Sequence, residues 1–108
     1  ILDFPFPDVC DAWENPDLGD EFRSPVKTKI PALFISGTLD VRTPPGNAEE
    51  VRRGFQNSEH LIIEGAVHSD PLFLSSPKIK DVMLEFMRGQ KISTTKILLK
   101  RFVRPFSK

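Results

Sequence analysis

The run from Ile30 to Asp70, IPALFISGTLDVRTPPGNAEEVRRGFQNSEHLIIEGAVHSD, limits what this chain can fold into more than any other stretch. It reads as strand, acidic turn, helix, strand and histidine turn. Ile30 to Ser36 is apolar and β-branched, bounded by Pro31 at its start and Gly37 at its end, as suits a strand buried on both faces. His60 to Ile63 has the same character and stops at Gly65. Between them Pro44 and Pro45 break the chain. Asn47, with Glu50 three residues on, has the form of a capping box and predicts a helix start, with Ala48, Val51 and Phe55 on one face.

A β-α-β unit with a single crossover helix is almost always right-handed, and its two strands are parallel. If the strands are sheet neighbours, both carboxyl ends emerge on the same edge, and Asp40 and His68 leave the sheet side by side. That edge is where open α/β sheets bind their ligands.

With 108 residues, 39% of them hydrophobic, the chain has material for one modest core, so one domain is the ceiling. Fifteen basic and fifteen acidic residues cancel, which removes the bulk field that would draw the chain to nucleic acid or an anionic membrane. No apolar run approaches the ~20 residues needed to span a bilayer. The single cysteine, Cys10, permits no internal disulfide and no cysteine metal cluster, and no cofactor or metal is expected. The sequence opens at Ile1 without an initiator Met or a signal peptide, so the expectation is a fragment of something longer.

Around the central unit, residues 1–29 read as an irregular or short-helical lead-in. Asp8 to Trp13 forms a short helical turn that puts Cys10 and Trp13 on one face as packing groups, and Glu14 to Lys29 is a polar loop with turn signals at Asn15-Pro16 and Ser24-Pro25. After His68, Ser69 to Ser76 reads as a loop containing Pro71. Ser76 then caps a helix with Pro77 at its first position, Ile79, Val82, Met83, Phe86 and Met87 recur at helical spacing, and Gly89 stops it. Residues 30–90 are the α/β segment proper. Residues 91–108 form a tail open to strand, helix or frayed conformation, with basic residues too few and too mixed for a binding patch.

The chemistry in the residues themselves is a carboxylate and an imidazole. An aspartate that accepts a hydrogen bond from one ring nitrogen fixes the tautomer and stabilises the imidazolium when the other nitrogen takes a proton, which makes a general base for a hydroxyl nucleophile. The plainer alternative is that Asp40 forms a turn after Gly37 and His68 is a surface or core histidine. His60, at a strand start beside Glu59, reads as structural.

The stretch Pro31 to His68 resembles the C-terminal part of α/β-hydrolases, and most closely the tripeptidyl and prolyl aminopeptidase-like group whose C-terminal segment is called TAP-like. That group carries a strand of the form PxLxISGxxDxxTPP, matched here by Pro31, Leu33, Ile35, Ser36, Gly37, Asp40, Thr43, Pro44 and Pro45. The helix NAEEV from Asn47 to Val51 and the pair Asn57-Ser58 before the second strand also match. Two positions depart from the pattern. Val41 stands where the group often has proline. Val67 precedes the histidine where the group usually has glycine, and because a β-branched side chain resists positive φ, a differently shaped turn with a displaced ring is the expectation.

The resemblance implies an α/β fold in which this chain is the β-α-β-α portion of a parallel sheet, part of a larger domain. It implies that Asp40 is the acid and His68 the general base of a Ser-Asp-His triad. The nucleophile of such enzymes lies upstream in a G-x-S-x-G elbow. No serine here has that frame: Ser36 lies within a strand, Ser58 precedes one and Ser69 follows the histidine. The chain alone is therefore expected to be inactive. Its partners would be the remaining N-terminal part of the hydrolase and a peptide or small ester substrate. The reaction implied is peptidase cleavage at peptide amino ends, and the resemblance also suggests export. Two other readings stay open, a binding or scaffolding remnant without chemistry, and part of an ester or epoxide hydrolase.

Overall fold

A computed structural model describes residues 12 and 16–100; Cys10, Trp13 and residues 101–108 lie outside them. Elements in chain order are α1 (Gly19–Arg23), β1 (Ala32–Gly37), α2 (Pro45–Arg52), β2 (Ser58–Glu64), α3 (Asp70–Leu74), α4 (Pro77–Met87) and β3 (Lys96–Leu98). The strands form one sheet in the order β1-β2-β3 and every pairing is parallel. This is an α/β architecture. The stretch after Gly89, left open by its composition, thus supplies a third strand, with Ile63 opposite Ile97.

Alternation along β2 decides which face is covered. Leu61 and Ile63 point to one side and are fully buried against Ile79 and Val82 of α4, with Leu72, Ile92 and Ile97 completing the core. Burying each such side chain contributes about 1.5–3 kcal/mol, so this one face holds most of the fold's apolar stabilisation. Ser76 caps α4 by accepting a hydrogen bond from the Lys78 N–H, and Gly89 ends it at a positive φ of 73°. Met87, at the same periodic spacing, lies beyond the covered face and is 78% exposed.

Several local expectations change. β1 is half-buried over most of its length rather than covered on both faces, and only Ser36 and Gly37 are buried, because β2 is its sole strand partner among the described residues. Asn47 and Glu50 do not form a capping box. Pro44 is the N-cap and Pro45 the first helical residue, since the fixed φ of proline already suits a helix start and its missing N–H is not needed there. No residue of α2 is buried, and Val51 is 53% exposed. The segment between Ser69 and Ser76 is not a plain loop, because α3 forms over Asp70–Leu74 with Pro71 in its first turn and Leu72 buried. Likewise α1 interrupts the polar lead-in, with Asp20 and Glu21 in its first turn and no buried residue. Among the described residues no helix is long and apolar enough to cross a membrane.

The lead-in joins the sheet at its lower end. Thr28 N–H donates to the Gly54 carbonyl at 2.8 Å, Gln56 N–H donates to the Thr28 carbonyl at 3.0 Å, and the Asn57 side-chain amide donates to the Lys29 carbonyl at 2.7 Å. These bonds set the start of β1 beside the start of β2, from Ala32 opposite Ser58 to Gly37 opposite Ile63.

Candidate active site

Because the strands are parallel and in this register, both run out at one edge, β1 into the turn 38–44 and β2 into the turn 65–69. The turns are tied to each other and to the strand ends. Thr38 N–H donates to the Ile63 carbonyl at 3.1 Å, Leu39 N–H donates to the Ala66 carbonyl at 2.9 Å, and Gly65 N–H donates to the Thr38 hydroxyl at 2.9 Å. Asp40 and His68 are carried on these two tied turns.

The Asp40 side chain is 6% exposed and that of His68 is 40% exposed. Asp40 Oδ1 accepts from the backbone N–H groups of Arg42 at 2.9 Å and Thr43 at 3.0 Å, the local turn that an aspartate forms with residues just after it. Oδ2 accepts from the Thr43 hydroxyl at 2.8 Å and from His68 Nδ1 at 2.7 Å. The Thr43 backbone N–H leads these donors, and with His68, the Thr43 hydroxyl and the Arg42 N–H it outweighs desolvation and holds the carboxyl well below the usual carboxylate range. An ionised carboxylate can only accept. His68 Nδ1 therefore carries a proton and donates it to Asp40 Oδ2, so a proton taken up or released by the ring passes through Nε2.

Val67 does not distort this turn. The positive φ values fall on Gly65, at 89°, and on Ser69, at 62°, while Val67 keeps an ordinary backbone and the ring reaches Asp40. Ser69 is the one non-glycine residue at positive φ among those described, and its ψ of −142° lies in a region other residues avoid. The strain next to the imidazole thus sits after it, where the chain reverses into α3.

The profile of the family described as TAP-like protein matches residues 6–96. The chain belongs to the TAP-like family of α/β-hydrolases. No curated protein and no solved structure matches it. The TAP-like segment therefore has the α/β-hydrolase fold class that its strand and turn pattern resembles, and its three parallel strands are part of such a sheet.

The serines of the TAP-like segment do not meet His68. Ser36 is buried in β1 and its hydroxyl lies 2.8 Å from His60 Nε2, while Ser58 accepts a hydrogen bond from Arg52 Nε at 3.1 Å. Among the described residues no serine hydroxyl bonds to either nitrogen of His68. An open depression of about 700 Å³ on the sheet is lined by Glu49, His60, Glu64 and Lys96, and by neither Asp40 nor His68.

Two features of the site had little signal in the sequence. Thr43, which touches both the carboxylate and the ring, matched only as part of a pattern. His60, which reads as structural, is buried with both ring nitrogens engaged: Nδ1 lies 2.5 Å from Glu49 Oε1 and Nε2 shares a hydrogen bond with the Ser36 hydroxyl at 2.8 Å. The His60 hydrogen bond, with that of Arg52, holds the Glu49 carboxyl below its usual range. This chain of side chains ties α2 to both strands on the face opposite the apolar core. It repeats the residue types of a triad, but its hydroxyl is buried within a strand.

Proposed function

We propose that Asp40 and His68 are the acid and general base of a Ser-Asp-His triad, and that this segment supplies them to a serine hydrolase whose nucleophile lies outside the chain. The reaction is peptidase cleavage that releases residues from peptide amino ends. The observation that carries this reading is the 2.7 Å hydrogen bond between His68 Nδ1 and Asp40 Oδ2, with the carboxyl held below its usual range and so ionised. Membership of the TAP-like family supports it.

In the reaction, His68 Nε2 takes the proton of the attacking serine hydroxyl as its oxygen bonds to the substrate carbonyl carbon. The imidazolium is stabilised by Asp40. The same proton then passes to the leaving amine as the C–N bond breaks, and a water, deprotonated in turn by Nε2, releases the acyl group. No serine of the sequence sits in a G-x-S-x-G frame, so the segment alone is expected to be inactive.

The test is Asp40→Asn in the intact hydrolase, assayed on peptides with a chromogenic leaving group. Loss of the orienting carboxylate is expected to lower turnover by about 10⁴-fold. Turnover within tenfold of the unsubstituted enzyme would remove Asp40 from the triad.

A further inference from the structure

Resting on that reading, we infer that Thr43 is a positioning residue for the acid-imidazole pair, and that its hydroxyl holds the Asp40 carboxylate in the orientation that keeps a proton on His68 Nδ1. The Thr43 oxygen lies 2.8 Å from Asp40 Oδ2 and 3.2 Å from His68 Nδ1, so one hydroxyl borders both members of the pair. Its single proton can serve only one of them. Oδ2 is nearer and charged, and a hydrogen bond to a carboxylate is roughly twice as strong as one between neutral groups. The proton therefore goes to Asp40.

The consequence falls on the ring. If His68 carried its proton on Nε2 instead, the bare Nδ1 would face Oδ2 at 2.7 Å, lone pair to lone pair. That repulsion acts for as long as the carboxylate stays turned toward the ring, and the Thr43 hydroxyl is what holds Oδ2 there. Nδ1 must bring its own proton, which it donates to Oδ2, while the remaining lone pairs of Thr43 Oγ1 face the same N–H. The hydroxyl also restrains the carboxylate. Oδ1 is held by two backbone donors and Oδ2 by Thr43, so the acid meets the ring without first having to rotate. Thr43 touches no reacting atom. It acts through Asp40 and His68.

Two substitutions separate this role from a packing role. Thr43 is exposed, so Thr43→Val keeps its shape and removes only the hydroxyl, while Thr43→Ser restores the hydroxyl. In the 108-residue chain, ring ¹⁵N shifts of His68 are expected to show one tautomer, protonated at Nδ1, with a downfield Nδ1 proton. Thr43→Val frees Oδ2 to turn away from the ring and should therefore give a mixture of tautomers and broaden that proton, and Thr43→Ser should restore the single tautomer and the sharp proton. In the intact hydrolase, Thr43→Val should lower kcat by about 10–100-fold with KM unchanged, a loss on the scale carried by outer-shell partners of metal-bound histidines. A Thr43→Val protein with an unchanged amide spectrum, unchanged His68 ring shifts and kcat within twofold overturns the inference. Failure of the triad reading looks different: Asp40→Asn leaves turnover intact while the Thr43-dependent tautomer shift persists.

Discussion

Gly37, the last residue of β1, lies so close to Ala66 that a Cβ built on it would come within 2.4 Å of the Ala66 carbonyl oxygen and 2.9 Å of a Leu72 methyl group. The same carbonyl accepts the Leu39 N–H, so this approach is part of what ties the acid turn to the histidine turn.

Gly37→Ala is therefore expected to force the two turns apart. Overfilling a packed site costs about 1–3 kcal/mol, and backbone cannot yield as a side chain can. Urea denaturation should show a lowered midpoint, and the downfield Nδ1 proton of His68 should weaken together with it. A midpoint equal to that of the unsubstituted chain would show that the two turns tolerate a wider gap.

Acid should loosen the pair in a predictable direction. The Asp40 carboxyl is held below its ordinary range, so its contribution to stability is fully present above the unfolded pKa of about 3.9 and is lost as pH falls toward the folded value. Unfolding midpoints taken from pH 7 down to pH 2 should fall below about pH 4 in the unsubstituted chain. The decline should be shallower in Asp40→Asn, which has no carboxyl to titrate at that position. Parallel curves for the two proteins would contradict the depressed carboxyl.

The polar tie through His60 should behave as a unit. His60→Phe keeps a ring in the buried position but leaves the Ser36 hydroxyl without its partner, and an unpaired buried hydroxyl costs about 1–3 kcal/mol. Adding Ser36→Ala should recover part of that loss, giving a non-additivity of about 0.5–3 kcal/mol in a double-mutant cycle read by chemical denaturation. Strict additivity would mean that the two side chains are neighbours without energetic coupling.

What was legible in the sequence follows from which forces have a periodic signature. The apolar runs of β1 and β2 and the spacing of Ile79 and Val82 on α4 reflect burial on one core, and the Ser76 cap and Gly89 stop are local backbone chemistry; these could be read directly. α2 is legible as the crossover but not in its start or its face. Proline geometry puts the first turn at Pro45, and the helix meets the sheet through Glu49 on His60 and Arg52 on Ser58 rather than through Val51. α3 had too few residues to show a period, and Pro71 in its first turn looked like a loop marker. β3 is only three residues long and is made by pairing with Glu64 and its neighbours, which no local pattern encodes. For the candidate site, topology brought Asp40 and His68 to one edge on paper. The hydrogen bonds of Thr43 and of His60 depend on side-chain directions across separate elements, and one sequence does not carry those.

The hydrogen bonds that hold Asp40 and His68 come from groups lying between Thr38 and His68, across a single crossover. Closing so short a span is inexpensive in chain entropy, which grows only by about 0.6 kcal/mol for each doubling of length. An emerging polypeptide could thus clasp carboxylate to imidazole once its second strand has docked, with synthesis of the final strand still to come. The contact between the two turns is then a self-contained clip, complete before the last strand of the sheet is added.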